Sequence, residues 1–417
     1  MTIEELYNIF LQNPNICTDT RKIEKGSIFF ALKGDNFNGN KFASQAIDYG
    51  CKFAIIDEEK YQSPKAILVN DVLETLQELA TYHRNRLNIP IIGITGTNGK
   101  TTSKELINAV LSSGMECYST KGNLNNHIGV PLSLLKIKNT HEIAIIEMGA
   151  NHKGEINFLC NISKPTHGVI TNIGSAHLEG FKNLQGVIDT KKELYDFLKE
   201  TNGHLFVNND DDLLLSLSEG IERTTYGNNG DCKGVKTKNT PFISVEFNGL
   251  ELSSNLIGDY QFNNIMLAIC IGNYFKITKE NIKTAIEDYT PTNNRSEIVE
   301  TRNNTLILDA YNANPSSMKA MLNSFSKQNY DNKLCILGDM LELGEYSKLE
   351  HKSIINLCKK LELECIYVGK EFNEVSSNAF SSRVELEEYL QKNSIKNKTI
   401  LLKGSRGIGL EKLEKYL

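Results

Sequence analysis

A glycine-rich run, Gly93-Ile-Thr-Gly-Thr-Asn-Gly-Lys-Thr-Thr-Ser103, joins an apolar stretch, Ile91-Ile-Gly-Ile-Thr95, to a helical pattern carrying Leu106, Ile107, Val110 and Leu111. Strand, tight turn and helix in that order build a phosphate cradle. The glycines let backbone N–H groups curl around phosphate oxygens, and the helix N-terminus adds partial positive charge. Lys100 can reach the β- and γ-phosphates, and Thr101 can hold Mg²⁺. The longer G-x-x-x-x-G-K-[ST] form would need glycine at 94, where isoleucine stands, so the match is to the shorter G-T-N-G-K-T form. An ordinary strand-turn-helix with a solvated lysine would need strand, turn, Lys-Thr pair and helix to coincide by chance.

Such a loop belongs to an α/β architecture, and the surrounding pattern agrees. From residue 91 onward, apolar runs at Ala144-Ile-Ile-Glu147, Gly168-Val-Ile-Thr171 and His204-Leu-Phe-Val207 alternate with helical stretches, as in a parallel sheet covered on both faces. Alternation in Phe242-Ile-Ser-Val-Glu-Phe247 predicts an antiparallel addition, followed by a helix from about Asn263 to Tyr274. A second alternating set has strands at Thr305–Asp309, Lys333–Leu337, Cys365–Val368 and Thr399–Leu402. Before residue 91, Thr2 and Glu5 form a capping box ahead of a short helix. The apolar runs Ser27–Leu32 and Phe53–Ile56, separated by the turn Gly34–Gly39, predict a small mixed α/β unit. A helix from Val72 to about Leu87 stops before Pro90, and Asp288–Asn294 is turn-rich and lies between the two alternating sets. The expected domains are therefore 1–87, 88–294 and 295–417, and 417 residues at roughly 150 per domain accommodate them.

Charge and cysteine content narrow the function. Forty-six Lys and Arg against 51 Asp and Glu give a net charge of −5, which argues against a general nucleic-acid coat. The nine cysteines show no C-x-x-C spacing and read as reduced cytosolic thiols. The N-terminus lacks a basic and apolar leader, and no run approaches the roughly 20 apolar residues of a membrane span. A cytoplasmic protein, bound neither to nucleic acid nor to a membrane, is expected.

Several further residues could carry chemistry. Glu147 closes an apolar strand, so its carboxylate should emerge at the carboxyl edge of the sheet, where it could coordinate Mg²⁺ or serve as a cap. His177 follows another strand in the same way. Lys191 reads on composition as part of a solvated helix face, Asn264 as a helix cap, and Arg295 and Asp309 as surface ions.

Taken in order, the segments resemble the ATP-dependent Mur ligases, in particular the branch that adds D-alanyl-D-alanine. The resemblance rests on Thr18-Asp-Thr-Arg21 with Phe29–Gly34, the phosphate loop, Gly122-Asn-Leu-Asn-Asn-His-Ile-Gly-Val-Pro131 and Glu147-Met-Gly-Ala-Asn-His152. It continues through Ala176–Phe181, Asp309-Ala-Tyr-Asn-Ala-Asn-Pro315, Leu337-Gly-Asp-Met-Leu-Glu-Leu-Gly-Glu345 and Lys403-Gly-Ser-Arg406. It implies three domains: a small N-terminal α/β domain for the UDP end of the substrate, a central P-loop ATPase domain with a mostly parallel sheet, and a C-terminal Rossmann-like domain supplying the amine. The implied chemistry is activation of a UDP-N-acetylmuramoyl-tripeptide carboxylate by ATP to an acyl phosphate. Attack by D-alanyl-D-alanine then yields the pentapeptide with release of ADP and phosphate.

The resemblance also implies roles for individual residues. Gly96, Thr97, Asn98, Gly99, Lys100, Thr101 and Thr102 should wrap the ATP phosphates. Thr101, Glu147, His177 and Lys191 should serve one or two Mg²⁺, with Lys191 as a carbamate and Lys100, Glu147, His177 and Lys191 as the catalytic set. Asn264, Arg295 and Asp309 should reach the nucleotide. Asn123, Asn126, Asn312 and Asn314 should contact substrate, and Thr20 and Arg21 the uridine nucleotide. The family default is a monomer. Two departures stand out: the usual Ala-Lys-Gly-Glu reads Thr190-Lys-Lys-Glu193, and Gly-x-His-Asn reads Gly258-Asp-Tyr-Gln261. The rivals are other ligases of the superfamily, the diamino-acid-adding members and folylpolyglutamate synthase, and an ATP-binding module without ligase activity. Tyr311-Asn-Ala-Asn-Pro315 speaks against the first two.

Overall fold

The computed structural model describes residues 1–176, 178–238, 241–292 and 294–417. The chain opens with α1 (Ile3–Gln12), whose capping box is formed as expected by Thr2 and Glu5. Strands β1 (Ile16–Cys17) and β2 (Ile28–Phe30) come next, then a small hairpin of β3 (Lys33–Gly34) and β4 (Phe37–Asn38), where the sequence suggested only a turn. After these come α2 (Ala43–Asp48), β5 (Phe53–Ile56), β6 (Ala66–Leu68) and α3 (Val72–Arg84). β1, β2, β5 and β6 form a four-stranded parallel sheet. Leu6, Phe10, Leu76 and Leu79 on α1 and α3 belong to one buried cluster with Val130, Leu134, Ile156 and Leu159, so the first sheet unit shares a core with the second.

The middle of the chain runs β7 (Ile91–Thr95), α4 (Lys100–Ser112), β8 (Cys117–Ser119), α5 (Gly129–Leu134), β9 (Ile143–Glu147), α6 (Glu155–Ser163) and β10 (His167–Ile170). It continues with α7 (Leu178–Phe181), α8 (Leu184–Glu200), β11 (His204–Asn208), α9 (Asp212–Leu217), β12 (Arg223–Gly227) and β13 (Cys232–Lys238). β14 (Ser244–Phe247), β15 (Leu250–Ser253), α10 (Gln261–Tyr274) and α11 (Lys279–Asp288) complete it. The nine strands lie in the order β15-β14-β13-β12-β11-β10-β7-β9-β8, parallel from β8 to β13 and antiparallel at β14 and β15. The order explains the site. From β7 the chain builds outward to β8 and β9 on one side and then crosses to β10 on the other, so the crevice past the end of β7 is a topological switch point, where such sheets take their ligands. β7 and β9 are buried along their whole length, which is why they read as uninterrupted apolar runs.

The last part comprises β16 (Glu297–Glu300), β17 (Thr305–Asp309), α12 (Pro315–Lys327), β18 (Lys333–Gly338), α13 (Ser347–Lys360), β19 (Glu364–Val368), α14 (Lys370–Val375), β20 (Ala379–Phe380), α15 (Arg383–Lys392) and β21 (Thr399–Lys403). Their sheet has the order β16-β17-β21-β18-β19-β20. Its strands are parallel except for the edge strand β16, which the sequence reading passed over because Glu297-Ile-Val-Glu300 is short and half exposed. The fold is thus α/β with three sheet units, as the sequence suggested.

Candidate active site

The carboxyl ends of the second and third sheets open on one cleft of about 1100 Å³, lined from Leu73 and Gln77 on α3, across residues 96–102, to Asp309, Asn314 and Lys403. At its centre the loop after β7 turns through Gly96 (φ +142°) and Gly99 (φ +79°), angles open to glycine at little cost. A Cβ at Gly96 would overlap Thr171 Oγ1, and one at Gly99 would lie 2.9 Å from Asn264 Oδ1. The loop is pinned from β10: Thr171 Oγ1 donates to Asn98 O at 2.6 Å, Asn172 Oδ1 accepts from Asn98 N at 3.0 Å, and Gly174 N donates to Thr97 Oγ1 at 3.0 Å. The Lys100 ammonium folds back onto the carbonyl oxygens of Gly96 (2.6 Å) and Thr97 (3.2 Å). Burial lowers its pKa, and nearby Glu147 partly opposes that.

Glu147, 2% exposed, stands at the end of β9 with every side-chain oxygen engaged. Thr101 Oγ1 donates to Oε2 at 3.1 Å, Asn125 Nδ2 donates to Oε1 at 2.8 Å, and the Lys104 ammonium lies 3.5 Å from Oε2. A hydroxyl and a carboxylate one hydrogen bond apart beside a phosphate loop are hard oxygen donors of the kind that would suit Mg²⁺. Among the described residues no three His, Cys, Asp or Glu side chains gather as a group that could hold a metal ion. His177 lies outside the described residues.

Lys191 is not part of a solvated face. It is 3% exposed, lines the cleft, and has its ammonium 5.5 Å from the centre of the Phe181 ring. Burial, then the charge of Lys100, pushes its pKa from 10.5 down to about 7. The neighbouring lysine is no competitor, because Lys192 turns outward to pair with Asp196. Glu193 accepts from Gly154 N at 2.7 Å and Asn157 N at 2.9 Å, capping the start of α6.

Asn264 lies inside the first turn of α10 and does not cap it, since the helix begins at Gln261. Its Oδ1 accepts from Ser103 Oγ at 3.0 Å and its Nδ2 donates to Gln261 Oε1 at 2.7 Å. The departure at Gln261 therefore orients Asn264. Arg295 lays its guanidinium 3.6 Å from the Tyr311 ring centre, and Asp309 pairs with Lys403 at 2.6 Å, the two being register partners at the ends of adjacent parallel strands.

The expected substrate contacts divide. Asn123, Asn126, Asn312 and Asn314 line the cleft. Asn126 Oδ1 is spent on the N–H groups of Ile128 and Gly129 at the start of α5, and Asn314 caps α12. Thr20 and Arg21 are not brought into this cleft. They form a short 3-10 turn on the first unit, where exposed Arg21 donates to Asp19 at 2.9 and 2.8 Å and holds that carboxyl down at about 2. Sequence reasoning missed Asn125, Lys104, Asn172 and Lys403. Asn125 and Lys403 lie inside motifs that carry the family resemblance, and Lys104 follows Lys100 by one helical turn, a spacing that places both on one face.

The comparisons with known proteins decide the family. Residues 14–92 match the Mur ligase family catalytic domain, 94–272 the Mur ligase middle domain, and 294–406 the Mur ligase glutamate ligase domain. The chain belongs to the Mur ligase family. Among its Mur ligase relatives is the UDP-N-acetylmuramoyl-tripeptide–D-alanyl-D-alanine ligase of Bacillus subtilis, 33% identical over 96% of this chain and 92% of the relative. A crystal structure of MurF from Acinetobacter baumannii is 29% identical with a TM-score of 0.86, over 96% of this chain and 92% of that one. MurF ligase from Thermotoga maritima in complex with ADP is 25% identical with a TM-score of 0.85, over 97% of each chain.

Proposed function

We propose that this Mur ligase joins D-alanyl-D-alanine to UDP-N-acetylmuramoyl-tripeptide at the expense of ATP, giving the pentapeptide precursor of peptidoglycan, ADP and phosphate. The observation that carries the reading is the single cleft in which the phosphate loop and Glu147 face Asp309, Asn312 and Lys403 across about 1100 Å³. One space can then hold a phosphoryl donor, a carboxylate and an amine. The full-length likeness to the Bacillus subtilis enzyme supports the choice of substrates.

In this reading Gly96–Thr102 cradle the phosphates, and Lys100 leaves the carbonyls of Gly96 and Thr97 for the β- and γ-phosphates. Thr101 and Glu147 would hold Mg²⁺, which when bound offsets the charge between the phosphates and the incoming carboxylate. The tripeptide carboxylate oxygen bonds to the γ-phosphorus as the bond to ADP breaks. The neutral amine nitrogen of the dipeptide then attacks the acyl carbon, the acyl C–O bond breaks, and phosphate leaves with the proton that the nitrogen loses. Asn264 and Arg295 orient the nucleotide, with the Arg295 guanidinium steadied on Tyr311.

Lys191 fits a carbamate. With its pKa near 7, a substantial share of the amine is neutral at physiological pH and able to bond to CO₂, and the neighbouring Lys100 charge would stabilise the resulting anion. The domains 1–87, 88–294 and 295–417 would bind the UDP end, the ATP and the dipeptide respectively. Nine free cysteines accord with a cytoplasmic site of action. The test is kinetic: Lys100→Ala should abolish dipeptide-dependent phosphate release, and retention of wild-type turnover would remove the phosphate loop from the reaction.

A further inference from the structure

The tip of the phosphate loop touches the third sheet unit directly. Asn314 Nδ2 donates to Asn98 Oδ1 at 2.8 Å, Asn98 Nδ2 donates to Ser316 Oγ at 2.9 Å, and Ser316 Oγ donates to Asn314 Oδ1 at 2.9 Å. Each of the three side chains donates once and accepts once around a closed ring, an arrangement in which each bond polarises the next. More than two hundred residues of chain separate Asn98 from its two partners. Both polar atoms of the Asn98 carboxamide are engaged in this way, each in one hydrogen bond, while its backbone N–H goes to Asn172.

The packing around the ring is close enough to define its geometry. A Cβ at Gly174 would lie 2.8 Å from Ser316 Oγ and 3.1 Å from Ser316 Cβ. Asn314 is the N-cap of α12, its Oδ1 also accepting from Ser317 N at 2.8 Å, so the orientation of the ring fixes the orientation of that helix. α12 comes directly after the loop that carries Asn312 on the wall of the cleft.

We propose that Asn98, Asn314 and Ser316 are positioning residues that register the dipeptide-supplying domain against the phosphate loop, and that the Asn98 side chain serves this contact and not a phosphate. The inference rests on the ligase reading above and adds Ser316 to its machinery. A planar carboxamide held on both sides allows one approach of α12 to the loop. The amine is thereby presented to the acyl carbon at a fixed distance, and loss of the ring costs orientation without weakening nucleotide binding.

One variant tests this in the full-length protein. Ser316→Ala breaks the ring by removing one hydroxyl. The thermal unfolding of this variant is checked against wild type. Three quantities are measured: affinity for ATP in the absence of dipeptide, single-turnover ADP formation with UDP-muramoyl-tripeptide alone, and kcat/KM for D-alanyl-D-alanine. The expected result for Ser316→Ala is nucleotide affinity and ADP formation within about twofold of wild type, with kcat/KM for the dipeptide reduced about tenfold. Equal losses in nucleotide affinity and dipeptide kcat/KM, or wild-type values for all three in Ser316→Ala, would overturn the proposal. Wild-type protein that releases no phosphate in response to the dipeptide would remove the ligase reading and this inference with it.

Discussion

The Thr101 hydroxyl donates to Glu147 Oε2 across 3.1 Å, so the first turn of α4 and the end of β9 share one carboxylate oxygen. The same oxygen lies 3.5 Å from the ammonium of Lys104, both side chains being 3% exposed. Glu147 thus balances a buried cation at the point where the metal-phosphate complex would bind.

Glu147→Gln keeps the shape and removes the charge. Lys104 would then be a buried cation without its counter-charge, and stability should fall by about 3 kcal/mol. On the proposed role of Glu147 as a metal ligand, turnover should fall about 100-fold, because the metal would lose an anionic ligand. Urea unfolding and steady-state rates measure the two effects. An unchanged unfolding midpoint would show that the pair carries no stability.

The depressed pKa of Lys191 has a sign that can be tested. Between about pH 7 and 10.5 the unfolded chain holds a proton on this side chain that the folded chain lacks, so this group makes stability rise with pH. Below about pH 7 both states hold the proton and the full cost of burying the charge remains. Lys191→Met, in buffer freed of CO₂, should therefore raise the unfolding midpoint more at pH 6 than at pH 10, while abolishing turnover. Equal shifts at the two pH values would contradict the assignment.

How much of the molecule was legible in the sequence depended on the range of the interaction. The phosphate loop, the buried strands β7 and β9 and the capping box at Thr2 are local patterns, and each stands where the residues predicted it. The burial and the lowered pKa of Lys191 could not be read from Asp189-Thr-Lys-Lys-Glu193, because the side chain packs beside the Phe181 ring and feels the charge of Lys100, more than ninety positions away. For the same reason the Asn98–Ser316 contact left no local trace. Asn126 lines the cleft as expected, but its oxygen is also held by the backbone N–H groups ahead of a short helix, a use the sequence reading did not foresee, and the adjacent Asn125 reaches Glu147.

Gly96→Ala should strike nucleotide binding. The new Cβ meets Thr171 Oγ1 and lies 3.0 Å from Thr171 N at a φ of +142°, so the loop must move. Affinity for ATP should drop at least about tenfold. Gly122→Ala is the control, since it also has positive φ (+58°) but meets nothing within 4 Å. Similar ATP affinities in the two variants would contradict the steric account.

Arg84 joins the first sheet unit to the second with no carboxylate partner among the described residues. From the end of α3 it donates to the carbonyl oxygens of Ser163, Lys164 and Leu87, each at 2.9 Å, closing the end of α6. Arg84→Met should lower stability by about 3 kcal/mol, as charged hydrogen bonds to buried carbonyls are lost. The KM for ATP in the folded protein should stay unchanged. Calorimetry and initial rates separate the two, and an altered KM with an unaltered melting temperature would reverse the interpretation.

The most direct test of the ligase assignment is phosphate release from ATP and Mg²⁺ in the presence of UDP-N-acetylmuramoyl-tripeptide, with and without D-alanyl-D-alanine, together with the mass of the nucleotide product. The account predicts sustained release only when the dipeptide is present, and a product heavier than the tripeptide substrate by one D-alanyl-D-alanine less water. Phosphate release that ignores the dipeptide, or a substrate mass that does not change, would contradict it.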